Sequence, residues 1–176
     1  MSNKRTVFEN NFIRVESQAD NGREIITIDR VKTQTGAIVV PVMENGHIAL
    51  VREYRHGPGK YVIGVVKGAS DREDESATEV AVRELKEELG MTAKDLVETS
   101  IQTYALPSLS ATRGRVVFAY GCQITSEPDM EPDEDVSIFQ LVSKAELAEM
   151  LRDGVINDGE SCLALQAYLL ASIVQE

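Results

Sequence analysis

The stretch Glu75–Met91 reads ESATEVAVRELKEELGM. Ala77, Val80, Ala81, Leu85 and Leu89 recur at helical spacing and make one apolar stripe, and Gly90 supplies a C-cap. One helix over this stretch gathers Arg83, Glu84, Glu87 and Glu88 into a single acidic turn. Glu84 and Glu88 stand one above the other, four residues apart, and like charges at that spacing repel by a few tenths of a kcal/mol. A hard divalent cation reverses the penalty, because carboxylate oxygens suit Mg²⁺ or Mn²⁺. The plain alternative is a solvated acidic face. Arg83 is placed to brace Glu87 by an ion pair, or else to make a surface pair of little energetic value.

The chain has 176 residues, enough for one domain with a sizeable core, residues 1–176. Its formal charge of -11 argues against nucleic-acid binding, which calls for basic patches. A phosphorylated small molecule is compatible with it, since a metal neutralises the ligand's charge. Cys122 and Cys162 lack metal-ligand spacing and read as buried thiols. No apolar run approaches the roughly 18 residues of a membrane span, and the polar N-terminus has no secretory h-region, so a cytoplasmic protein is expected.

Phe12–Glu16 and Glu24–Val31 read as strands joined by a turn at Asp20-Asn21-Gly22. Ala37–Met43 reads as a central strand, His47–Glu53 as its return, and Tyr61–Val66 as a further short strand. Lys67–Asp74 reads as a polar loop. Leu96–Thr103, Arg115–Gln123 and Val136–Leu141 read as strands, and Tyr104–Arg113 as a loop. Residues 127–135 carry six carboxylates and two prolines and read as an acidic surface loop. Ser143 with Glu146 makes a capping box for a helix over Lys144–Arg152, and Ser161–Val174 is the last helix. The class is α/β, a mixed sheet with helices packed on it.

Chemistry at a phosphoanhydride needs charge neutralised and water activated. Mg²⁺ ions held by carboxylates do both, and a further carboxylate takes the proton. The helix offers Glu84, Glu87 and Glu88; the loop offers Glu131, Asp133, Glu134 and Asp135. Arg52 and Arg55, in VREYRHG, fall on opposite faces of a strand, and either could bind phosphate bidentately.

RELKEELGM, residues 83–91, together with Glu75 eight residues earlier, resembles the REUxEExGU half and preceding glutamate of the Nudix box, U being apolar. The family glycine belongs six residues before Glu75, where Ala69 stands; Gly68 is one residue earlier, so the loop carries one extra residue. Such an insertion is cheap to accommodate. IALVREYRHG, YVIGVVKG, the proline loop at Ala105–Ser108 and the C-terminal run from Asp133 look like the ADP-ribose pyrophosphatase branch, and most like its ADP compounds hydrolase (NudE) type.

The resemblance implies a Nudix-type α/β/α sandwich with a mixed β-sheet and an N-terminal antiparallel strand extension. It implies Mg²⁺-dependent hydrolysis, Mn²⁺ substituting, of ADP-ribose, NADH and diadenosine polyphosphates. The alternatives are a GDP-sugar or other nucleoside-diphosphate-X hydrolase, and a non-catalytic nucleotide-binding module. Glu84 and Glu88 become principal metal ligands and Glu87 a third ligand or water partner. The backbone carbonyl is Gly68's, with Lys67 and Ala69 as alternatives, and Arg83 orients the box. The catalytic base is Glu134, with Glu131 and Asp133 as alternatives. Arg52, Arg55, Pro107, Ser108 and Arg113 become substrate contacts. Residues 1–35 become a dimerisation and substrate-side extension, so a homodimer is implied. The partner is a nucleotide-derived small molecule, with neither nucleic acid nor membrane.

Overall fold

The computed structural model describes residues 4–130 and 135–174. Three strands open the chain: β1 (Arg5–Glu9), β2 (Ile13–Asp20) and β3 (Arg23–Arg30), an antiparallel sheet of their own in the order β1-β2-β3. Asn21 and Gly22 join β2 to β3, both with positive φ, 47° and 78°. A two-residue loop needs that geometry to match the strand twist, and Asp20 accordingly faces Arg23. β1 has no signal in the sequence, because all five of its residues are exposed and no buried face imposes a period of two.

The second sheet has eight strands: β4 (Thr35–Met43), β5 (Ile48–Arg55), β6 (Lys60–Gly64), β7 (Val66–Ala69), β8 (Met91–Thr92), β9 (Asp95–Tyr104), β10 (Arg113–Ile124) and β11 (Val136–Val142). They run β11-β5-β4-β10-β8, with β6 on β5, β7 on β4 and β9 on β10. β4 and β10 are parallel and the other pairs antiparallel, so the sheet is mixed. The unbroken apolar run of β4 fits a strand covered on both faces. Ala37 and Val39 look one way; Ile38, Val40 and Val42 look the other.

Helix α1 (Ala77–Leu89) covers the first face with Val80, Ala81, Leu85 and Leu89. Helices α2 (Lys144–Arg152) and α3 (Gly159–Val174) cover the second with Leu147, Ala164, Leu165 and Tyr168. The result is the expected α/β sandwich with an N-terminal antiparallel extension. Among the described residues no helix is long and apolar enough to cross a membrane.

One stretch departs from the sequence reading. Residues 66–69 form β7 rather than the end of one strand and the start of a loop. The chain leaves β5 at Gly64 and joins β4 at Val66. Gly64 is required at that switch, because the Ser161 hydroxyl occupies the place of a side chain. Contacts with α3 and β4, distant in sequence, set the break.

Candidate active site

Ser76 caps α1: its hydroxyl accepts from the Glu79 amide at 3.2 Å, and the Glu79 carboxylate accepts from the Ser76 amide at 2.8 Å. Gly90 closes the helix in the left-handed conformation, φ 61°. The ends being fixed, the apolar stripe sets the rotation of the helix, and that rotation turns Glu84 and Glu88 inward. They are 6% and 4% exposed. Their stripe continues the packing of Val80 and Ala81, ending at β7 with carboxylates in place of methyl groups. The Glu84 carboxylate lies against Gly68.

Arg83 ties the loop before α1 to the helix. Its Nη1 donates to Glu84 at 2.7 Å and to Glu87 at 3.0 Å. Its Nη2 donates to the Ala69 carbonyl at 2.6 Å, and Glu75 and Asp71 lie 3.5 and 3.6 Å from Nε. Glu75 in turn accepts from the Asp71 amide at 2.7 Å. Burial works against the charge of Arg83, but Glu84, Glu87, Asp71 and Glu75 outweigh it and raise its pKa above the ordinary arginine range.

Three carbonyls were candidates for a metal. In the β4–β7 ladder the Ser70 amide donates to the Thr35 carbonyl at 3.0 Å. Pairs two residues along, Ala37–Gly68 and Val39–Val66, therefore hold the hydrogen bonds. The Gly68 carbonyl faces β4, the Ala69 carbonyl takes Arg83, and the Lys67 carbonyl turns away from β4.

These groups border a cleft of about 570 Å³ between the two sheets. Arg83, Glu84, Glu87, Glu88, Gly68 and Arg55 all line it. Arg55 is held by Glu53, 2.6 Å away on the same face of β5. Arg52 lies on the other face, its guanidinium 4.6 Å from the centre of the Tyr61 ring. Pro107 and Ser108 are exposed in the loop after β9 and line none of the cavities beside the cleft. Arg113 opens β10 and lines two neighbouring cavities instead.

Glu131, Asp133 and Glu134 lie outside the described residues, but the chain on each side of them is anchored. The Asp129 amide donates to the Glu87 carbonyl at 2.8 Å, and the Asp135 carbonyl accepts from the Tyr54 amide at 3.0 Å. Asp129 and Met130 line the cleft.

Sequence reasoning named Lys67 only for its carbonyl; it missed the Lys67 side chain, Glu53 and the N-terminal lining residues Asn11, Phe12, Arg30 and Lys32. The period of two in β5 signals that Glu53 accompanies Arg55. Nothing local signals the N-terminal residues, which arrive by packing of one sheet on another.

Among the described residues, no three His, Cys, Asp or Glu side chains converge closely enough to hold a metal ion. The donor chemistry nevertheless fits Mg²⁺ or Mn²⁺: two buried carboxylates one turn apart, a half-exposed third and an outward-turned carbonyl are all hard oxygen donors.

The NUDIX domain profile matches residues 32–162. An Escherichia coli (strain K12) protein named ADP compounds hydrolase NudE is 32% identical over 168 residues, covering 93% of this chain and 87% of its own. An ADP-ribose pyrophosphatase of Mycobacterium tuberculosis is 28% identical over 137 residues, covering 77% of this chain and 66% of its own. A crystal structure of an ADP compounds hydrolase superposes with a TM-score of 0.76 at 28% identity, over 98% of this chain and 92% of that one. With the profile spanning most of its length and the Escherichia coli protein aligned along nearly all of it, the chain belongs to the Nudix hydrolase family.

Proposed function

We propose that the protein hydrolyses the diphosphate linkage of ADP-linked compounds, such as ADP-ribose, NADH and diadenosine polyphosphates, with Mg²⁺ or Mn²⁺, releasing AMP or ADP products. Family membership carries the general activity, hydrolysis of nucleoside-diphosphate-linked compounds. The observation that carries the chemistry is one cleft lined by both the buried Glu84 and Glu88 and the cation Arg55. The names of the similar proteins favour the adenosine-diphosphate class.

Glu84, Glu88, Glu87 and one carbonyl would hold the metal. We assign the carbonyl to Lys67, since Gly68's is turned into the ladder and Ala69's is taken by Arg83. Mg²⁺ bound there supplies neutralisation of the diphosphate and a lower pKa for the attacking water. Arg55 orients the diphosphate, its guanidinium held in place by Glu53. Arg83 fixes the carboxylates in position. A carboxylate of the acidic loop, Glu134 with Glu131 and Asp133 as alternatives, takes the proton of the water. Water attacks one phosphorus, the anhydride bond breaks, and AMP leaves together with the phosphorylated partner moiety.

Residues 1–176 work in this reading as one Nudix domain, with residues 1–35 as an extension that pairs two copies and closes the substrate pocket. The three-stranded sheet and its first turn expose Val7, Phe8, Phe12, Ile13, Ile25 and Ile26, apolar groups that suit a second copy. A mass in solution of twice 19.4 kDa is expected, and its loss on Phe8→Glu. A cytoplasmic setting accords with free thiols at Cys122 and Cys162.

The test is AMP release from ADP-ribose, NADH, diadenosine triphosphate and GDP-mannose with Mg²⁺, repeated in EDTA. Metal-dependent release from the adenosine compounds is the expected result. Consumption of GDP-mannose alone moves the protein to a nucleotide-sugar hydrolase, and binding without turnover moves it to a non-catalytic module.

A further inference from the structure

Three cavities lie side by side where the N-terminal sheet meets the core sheet, and Arg30 lines all three. The first is the catalytic cleft. Lys32 joins it to the second, of about 430 Å³, and Arg113 joins the second to the third. Among the described residues, none of these three cations makes an ion pair.

Two of the three carboxylates of the second cavity are engaged elsewhere. Asp29 accepts from Ser110 Oγ at 2.9 Å and from the Ala111 amide at 2.7 Å. Glu16 pairs with Lys4 at 3.0 Å, and Arg14 is taken by Glu9 at 2.5 Å. Glu73 is the remaining carboxylate of the second cavity. The backbone beneath the cations is fixed by Gln34. Its side-chain amide donates to the Arg30 carbonyl, its side-chain oxygen accepts from Thr112 Oγ1 at 3.0 Å, and its carbonyl accepts from the Arg113 amide at 2.8 Å.

Resting on the hydrolase reading above, we propose that Arg30, Lys32 and Arg113 form an anion subsite beside the catalytic cleft. It takes a phosphomonoester carried by the ADP-linked substrate outside its scissile diphosphate. A phosphomonoester brings nearly two charges and three acceptor oxygens, which suits the two guanidinium forks and the ammonium that line the second cavity together. A sugar hydroxyl or an uncharged ring would leave the three cations repelling one another. A longer polyphosphate chain keeps its charge contiguous with the scissile linkage, in the first cleft, whereas Arg113 lines only the second and third cavities.

The test compares kcat/KM for ADP-ribose, 2′-phospho-ADP-ribose and diadenosine tetraphosphate in the wild type, Arg30→Gln and Lys32→Gln. Equilibrium binding of the three compounds is measured alongside in EDTA. The phosphorylated compound is expected to be favoured over ADP-ribose by about tenfold or more, through KM, with the preference shrinking as salt rises. Each substitution should lower the rate with 2′-phospho-ADP-ribose far more than the rate with ADP-ribose. Equal kcat/KM for these two compounds overturns the subsite and leaves the hydrolase reading standing, as does a preference that survives both substitutions. A charge preference confined to the tetraphosphate also overturns it. If no compound is turned over, the hydrolase reading falls and binding decides the subsite. Tighter binding of the phosphorylated compound, lost in Arg30→Gln, supports it; equal binding overturns it.

Discussion

The Glu84 carboxylate lies where a side chain on Gly68 would begin. β7 and α1 meet at this contact, and it sets how close the outward edge of β7 comes to the carboxylates. An alanine at 68 must displace either the carboxylate or the strand. Overpacking of this kind costs about 1–3 kcal/mol, and a shift near 1 Å at reacting groups costs about a hundredfold in rate. Gly68→Ala is therefore expected to keep its fold, lose stability by that amount in urea, and lose turnover of the proposed ADP-linked substrate by about two orders of magnitude. Turnover close to wild type would show that the contact does not position Glu84.

Glu88→Gln separates function from packing. The amide matches the carboxylate in shape and removes the repulsion from Glu84 four residues away, worth a few tenths of a kcal/mol. Stability is expected to stay level or rise slightly. Turnover is expected to fall by about 10²–10³, as for loss of one preorganised charge partner in an active site, with a higher Mg²⁺ requirement for what remains. Initial rates across a Mg²⁺ series, together with a thermal melt, read both effects. Unchanged rates at every Mg²⁺ concentration would remove Glu88 from the proposed metal site.

The turn holding Arg83, Glu84, Glu87 and Glu88 was legible because helical geometry is local. Four positions within six residues meet whatever the rest of the chain does, and the structure brings them into one cleft. The arginines of β5 were half legible. Alternation separates Arg52 from Arg55, but which face turns inward is decided by Ala49 and Val51 joining the core cluster on the α1 side of the sheet. β7 was hidden because four residues ending in Gly68-Ala69 offer no alternation, and its partner Gly36 lies more than thirty positions away. The Lys67 side chain and the Arg30–Lys32 wall were hidden for the same reason: elements distant in sequence create their surroundings.

Arg83→Lys tests whether the fork, rather than the charge, organises the site. Lysine offers one ammonium where arginine spans Glu84, Glu87 and the Ala69 carbonyl. Loss of charged hydrogen bonds at a partly exposed group is expected to cost about 1–2 kcal/mol. Turnover should drop by at least tenfold, because the loop bearing Ala69 is no longer tied to α1. Chemical denaturation and initial rates check the two parts. A lysine variant with wild-type values in both would show that a point charge suffices.

Asp158 links the C-terminal helix to β7 through Lys67 and makes acid sensitivity predictable. Its carboxylate accepts from Lys67 Nζ at 2.6 Å, from the Ser161 amide at 2.9 Å and from Ser161 Oγ at 2.7 Å. Burial favours the neutral acid, but the Lys67 charge and these hydrogen bonds outweigh it and hold the pKa below the ordinary 3.8. The unfolded chain then binds the proton more readily than the folded one. The contribution is complete above the unfolded value and fades as pH falls through the lower folded value. Asp158→Asn keeps an N-cap side chain while removing the charge. It should lower stability at pH 7 by about 1–3 kcal/mol, or about 2–4 °C in Tm per kcal/mol for a chain of this size. The gap between mutant and wild type should begin to narrow below about pH 3.8 and close only beneath the lower folded value, where both carry a neutral group. Melts of both proteins from pH 7 down to the acid transition decide it, and a gap that stays constant over that range would rule out the charged link to Lys67 as its source.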